Sequence, residues 1–372
     1  MSNLNQFIEY QNDRVLSIDF FRGLTMFLLI GESARIYSNF AKISDSGVIH
    51  FIASHFQHHE WNGLMFWDLI QPFFMTIVGV AIPFAIVARK KKGDSDRLIL
   101  QHVIKRAFIL LLFGWMLGCT GSGKIVWKFQ NVLAQLSVTY LVAFLLVKKS
   151  ARFQIIFTLI ILLLIDLAYR FFPVEGFNQP WVAHKNLGAW FNQLIEGTEK
   201  TSIWATLNVV STTAHTVWGA LVGTLLISKK SSFDKLKILC IAGTICLVIG
   251  YGLDWLQITP IIKKIATSSF VFASGGWTLL GIAFSYWLID VKKLWVKGSL
   301  FFRIVGVNCI AIYLFCGIGG AGNLYRTFTP YPTSLFEWAG ATTVGIITSL
   351  LVWAALWGLC YWLYKNKIFI KI

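Results

Sequence analysis

The sequence predicts an all-α protein: a polytopic integral membrane helix bundle of about ten transmembrane helices with both termini cytoplasmic. Three observations predict it. Of the 372 residues, 56% are hydrophobic and only 13% are charged, giving a mean hydropathy of +0.66. Apolar runs of spanning length recur along the whole chain, and the density of basic residues alternates between successive connecting segments. Lipid offers no partners for backbone N–H and C=O groups, so a spanning segment must be a helix or belong to a closed barrel; runs this long without polar alternation exclude the barrel.

The first span is expected at roughly 15–31. It contains Asp19 and Arg22, three residues apart on one helical face, where they can neutralise each other. Because the residues before it are polar, it is expected to act as an uncleaved anchor. The second span, roughly 64–88, follows the histidine-rich stretch HFQHHEW (55–61). Further spans are expected at about 103–120, 131–147 and 153–172. The longest outer segment, about 173–205, carries Trp181, His184, Trp190 and Trp204, indoles suited either to sugar rings or to the membrane interface. Spans at about 206–228, 236–253, 268–290, 301–319 and 341–364 complete the bundle, and residues 1–372 read as one domain.

Charge supports this topology. Of the 33 basic residues, 22 fall on the side of the N-terminus and 10 on the other, with Arg22 inside the first span. The same dispersal accounts for the net charge of +16 without nucleic acid, since the basic residues are spread over loops rather than gathered on one face. The six cysteines lie in or at the ends of spans without metal-ligand spacing and read as packing residues. The stretch GCTGSGKI (118–125) lacks the final hydroxyl of a phosphate-binding loop and follows a membrane helix rather than a strand, so it reads as a turn.

Charges expected inside the membrane carry more information, because each is costly unless paired or facing a polar cavity. Glu32 ends the first span at the outer face, and Asp68 lies about one turn into the second. Glu32, Asp68 and the histidines are therefore expected at similar depth, around one polar cavity. The histidines admit three readings. His55 and His59 have the spacing of two metal ligands on a helix, but H-E-x-x-H is not completed after His59 and Glu60, and no metal is expected. One histidine can act as a general base beside a carboxylate; alternatively, all three are solvated loop residues.

Two stretches, RVLSIDFFRGLTMFLLI (14–30) and HHEWNGLMFWDLIQPFFMTIVGVAIPF (58–84), resemble the heparan-α-glucosaminide N-acetyltransferase family of membrane acyltransferases. They match its R-x-x-S-x-D-x-x-R-G opening and its H-x-x-W-x-G-x-x-x-x-D-L-x-x-P-x-F block. The stretches STTAHTVWGALVG (211–223), PIIKKIATSSFVFASGGWTLL (260–280) and IDVKKLWVKGSLFFRIVGVNCIAIY (289–313) continue the resemblance in the same order. It implies transfer of an acetyl group from cytosolic acetyl-CoA to an amino sugar, or a sugar hydroxyl, at the outer face of a bacterial inner membrane. It also implies His58, three residues before Trp61, as the general base or acyl carrier, with Glu32 and Asp68 beside it. Asp19, Arg22, His59, Trp61, Asn62, Lys263, Ser269 and Asn308 stand in or beside matching segments and take substrate- or cofactor-binding roles on the resemblance.

Three positions depart from the family. IGESA (30–34) offers Glu32 and Ser33 where an asparagine is implicated, NVLAQLSVTY (131–140) loses an arginine, and Ala266 replaces a common tryptophan. These point to a variant acceptor or weaker binding of the usual one. The family's large N-terminal luminal region is expected to be absent, which would suit a compact bacterial-type member. Acetyl-CoA, the glycan acceptor and the bilayer are the expected partners, and a second copy of the chain is carried as a candidate. The competing expectations are a secondary transporter of a sugar or cell-wall fragment and an inactive relative.

Overall fold

The computed structural model describes residues 15–44, 46–197 and 202–370. Arg14, Lys200 and Lys371, which enter the charge asymmetry, lie outside the described residues. Among the described residues there is no strand, and sixteen α-helices follow one another. They are α1 (Leu16–Ser33), α2 (Ile36–Phe40), α3 (Gly47–His55), α4 (Ile70–Lys91), α5 (Asp96–Ser122), α6 (Val132–Leu146), α7 (Ala151–Arg170) and α8 (Leu187–Glu196). Then come α9 (Asn208–Ile227), α10 (Ser232–Trp255), α11 (Ser268–Tyr286), α12 (Val296–Val307), α13 (Cys309–Gly317), α14 (Gly320–Phe328), α15 (Pro330–Phe336) and α16 (Ala341–Lys365).

Among the described residues, seven helical segments are long and apolar enough to cross a membrane: Phe66–Lys91, α5, α7, α9, α10, Ser268–Val291 and α16. The pair α12 and α13, bent by 57° at Asn308, makes an eighth if counted as one span. The two other expected spans also coincide with helices. One, α6, has only 15 residues, and α1 carries Asp19, Arg22 and Glu32 within its 18.

Helix starts are set locally. Asn131, Ser150, Asn186 and Ser231 each accept an amide of the first turn that follows, as do the oxygens of Ser95 at α5. The start of α1 is capped from a distance, because the two Asp290 oxygens accept the amides of Leu16 and Ser17 at 2.9 and 3.0 Å.

The chain forms two compact units. The first holds residues 60–64 and 71–284. Its inner helices are α4, α9 and α11, with about two thirds of the central window of α9 buried, against 17% in α7 and α10. α4 and α9 meet backbone to backbone: a Cβ on Gly79 would strike the Thr216 carbonyl, one on Gly219 the Thr76 carbonyl, and one on Gly223 the Val80 carbonyl. Hydroxyls and amides tie both helices to α6, with Thr216 of α9 donating to Thr139 at 3.0 Å and Gln71 of α4 to Gln135 at 2.5 Å. Gln135 stands in the segment where the family carries an arginine, and a neutral amide pair fills that place.

The second unit holds residues 15–59, 65–70 and 285–372. α1 packs on α12 through Gly23, whose absent Cβ leaves room for the Phe302 carbonyl, and Gly306, which faces Gly23 in return. Arg22 donates from Nε to the Gly306 carbonyl at 3.0 Å and from Nη2 to Asp19 at 2.7 Å. The expected Asp19–Arg22 pair is present and is used to bind α1 to the end of α12.

Candidate functional site

The second unit contains the strongest constellation. Residues 66–69 form a short 3-10 turn that runs into α4, and this turn presents two neighbouring side chains to two different partners. Asp68, 1% exposed, places Oδ1 2.9 Å from Nδ1 of His58. Its Oδ2 accepts the backbone amides of Met65 at 2.9 Å and His59 at 3.3 Å. One buried carboxylate thus fixes both the start of the turn and the imidazole. With Asp68 ionised, Nδ1 carries the proton and donates, which leaves Nε2 as the basic nitrogen of a ring whose side chain is 37% exposed.

Trp67, the residue before Asp68, is buried and donates its indole N–H to Oε1 of Glu32 at 3.0 Å. The ring is held by its neighbours. Tyr37 lies 5.0 Å from it centroid to centroid, and Phe56 stacks on Tyr37 at 4.4 Å and 16° and meets Phe66 edge-on. This aromatic cluster anchors the chain two residues before His58. Burial, and after it the Glu32 charge, push the Tyr37 phenol well above the usual tyrosine range, so it stays protonated and donates to the Leu28 carbonyl at 3.0 Å.

Glu32, Asp68 and His58 are therefore linked through one turn, with Trp67 as a connection that sequence reasoning missed. The signal was present in the run FWDL, where a tryptophan adjoins the expected carboxylate. The donors that hold Asp68 include the amides of Met65 and His59. His55 is the last residue of α3 and His59 lies beyond the helix, so the two do not share a helical face for a metal. Among the described residues no group of three His, Cys, Asp or Glu side chains is placed to hold one.

The remaining expected residues separate into different surroundings. In the first unit, the Trp61 indole donates to the Trp181 carbonyl at 2.7 Å, and Asn62 is exposed. Trp181 stacks on Tyr169 at 6.3 Å and 15°, with the Arg170 guanidinium 5.2 Å from its centroid. Lys263, 6% exposed, has Nζ 5.5 Å from the Trp204 ring, and Lys264 lies at 5.9 Å from the same ring. Trp61, Trp181, Trp190 and Trp204 are all partly buried, so the indoles of the outer segment are packed at least in part. Ser269 donates to the Pro260 carbonyl at 2.7 Å and helps shape the turn before α11.

In the second unit, Asn308 is fully buried at the bend between α12 and α13. Its amide donates to the Ile368 carbonyl at 2.9 Å and its oxygen accepts the Ile370 amide at 3.0 Å. That is a clamp on the segment after α16. Another residue outside the expected set is His215 on α9, fully buried in the first unit, with Nε2 3.2 Å from the Val271 carbonyl and 3.0 Å from the Ser274 hydroxyl. It stands within STTAHTVWGALVG, one of the stretches that carry the resemblance.

No protein-family model matches the chain. It is 24% identical to the heparan-alpha-glucosaminide N-acetyltransferase of Mus musculus over 430 aligned residues, covering 97% of this chain and 61% of that protein. It is 22% identical to the Homo sapiens protein of the same name over 424 residues, covering 96% of this chain and 60% of the relative. The chain thus spans about three fifths of the length of the curated relatives it matches. Nearly the whole chain aligns to both relatives, and the spaced motifs fall in the same order, which supports membership of the heparan-α-glucosaminide N-acetyltransferase family.

Proposed function

We propose that the chain is a transmembrane acetyltransferase that moves an acetyl group from acetyl-CoA to an amino sugar at the opposite face of a bacterial inner membrane. The observation that carries this reading is the His58–Asp68 pair, in which a buried carboxylate orients an accessible imidazole inside the segment that matches the family. Ten spans with both termini cytoplasmic, within one domain, complete the proposal, since the basic residues are concentrated on one side of that arrangement.

In the proposed reaction Nε2 of neutral His58 takes a proton from the acceptor's ammonium. The freed amine attacks the thioester carbonyl; a C–N bond forms, the C–S bond breaks, and the CoA thiolate leaves and takes up the second proton lost by nitrogen. Asp68 keeps the imidazole in the required tautomer and stabilises the imidazolium that forms. Glu32, fixed by the Trp67 indole, supplies a negative charge suited to an ammonium acceptor.

The test is acetyl-CoA labelled on its acetyl group, supplied to the purified protein in proteoliposomes with glucosamine-terminated acceptors. Label found covalently on the acceptor supports the reading. Unchanged solute accumulating in the vesicles, with no label transferred, replaces it with a transporter.

A further inference from the structure

A cleft in the first unit lies well apart in sequence from the His58 segment. It lies where the ends of α4, α6 and α9 meet the start of α7, and its empty space is about 610 Å³ including an open mouth. Pro83, Val147 and Leu221 give it apolar walls, while Lys148, Lys149 and Gln154 give it polar ones.

Gln154 is the informative residue. It is 2% exposed, and its Nε2 donates to the Lys149 carbonyl at 3.0 Å, which fixes which end of the amide is the oxygen. That oxygen, Oε1, is buried and has no hydrogen-bond partner among the described residues. A buried acceptor without a donor is rare in a folded protein, because burial removes its water without replacement. The missing partner must supply an N–H or O–H group.

The rim asks for the opposite kind of group. Lys148 is already paired with Asp96 at 3.0 Å, whereas Lys149 is exposed beside the first turn of α7. The 20-residue helix starts at Ala151, with Ser150 accepting the Phe153 amide, so the amides of its first turn face the same end and favour an anion.

We propose that this cleft binds a phosphate ester whose stem carries an N–H or O–H donor. The phosphate lies at Lys149 and the first turn of α7, and the donor reaches Oε1 of Gln154 between the apolar walls. Two sources share this chemistry: the headgroup of an anionic phospholipid such as phosphatidylglycerol and, resting on the acetyltransferase reading above, the phosphopantetheine arm of coenzyme A.

The experiment uses the full chain purified in detergent and stripped of lipid. Phosphatidylglycerol and coenzyme A are titrated separately, with phosphatidylcholine as control, into the wild type, Lys149→Glu and Gln154→Leu. Binding of either ligand by the wild type, weakened about fivefold or more in both variants, is the expected result. Which ligand responds identifies the source. Lys149 is exposed, so Lys149→Glu decides alone if Gln154→Leu elutes aggregated. If the wild type binds neither ligand, or Lys149→Glu binds as the wild type does, the site is refuted. Labelled acetyl transfer is measured on the same variants, so loss of this cleft and loss of the acetyltransferase activity are read separately.

Discussion

The Asp68 carboxylate stands 2.9 Å from Nδ1 of His58 while its second oxygen accepts two backbone amides, those of Met65 and His59. One group therefore performs two tasks. It shapes the turn that leads into α4 and sets the proton position on the imidazole.

The first consequence concerns the base itself. His58→Ala is expected to reduce acetyl transfer by about 10²–10⁴ while the protein stays monodisperse in detergent, since the ring is partly exposed and its removal leaves the turn's backbone bonds in place. Turnover by labelled acetyl transfer and elution on size exclusion check the two halves. Near-normal turnover would remove His58 from the role.

Asp68→Asn should spare the fold and stop the reaction. Its oxygen can still accept the Met65 and His59 amides while its nitrogen donates to Nδ1 of His58, which moves the imidazole proton to Nε2 and removes the basic nitrogen. Turnover lowered by about 10²–10⁴ with a melting temperature near that of the wild type is expected, and near-normal turnover would contradict the orienting role.

Glu32 and Trp67 separate charge from geometry. Glu32→Gln keeps an oxygen that can accept the Trp67 indole, so stability should hold to within about 1 kcal/mol while transfer to an amine acceptor falls. Trp67→Phe removes the donor and leaves the carboxylate. Comparing the acceptor KM of the two variants is the measurement; an unchanged KM and rate in Glu32→Gln would place its charge outside the reaction.

Asn308→Ala should act at a distance from the candidate base. It removes both bonds to the segment after α16, at Ile368 and Ile370, and so frees that segment. Faster limited proteolysis after residue 365, with the rest of the chain intact, is the expected outcome.

Gly23→Leu tests the α1–α12 crossing. Even a Cβ at this position falls on the Phe302 carbonyl, a backbone atom that cannot swing aside, so the helices must separate at a cost of at least about 1–3 kcal/mol. Thermal unfolding in detergent measures it.

The sequence by itself determined the helical class and where its apolar helices lie. Long apolar runs can satisfy their backbone in lipid only as helices, and this is a local property of each run. It determined the Asp19–Arg22 contact for the same reason, because residues three apart on a helix are neighbours whatever surrounds them. It also marked the segment 55–68 as chemical, and the resemblance pointed to His58, but spacing by itself could not choose among His55, His58 and His59. That choice depends on the path of a non-helical connection between α3 and the turn at 66–69, which no periodicity describes. Tertiary structure decided that His58 reaches Asp68, that Trp67 reaches Glu32 across 35 residues of chain, and that Asn308 clamps a segment 60 residues away. Such pairings form because buried donors and acceptors must find partners once packing has removed water, and the partner is whichever group the packed helices bring within reach.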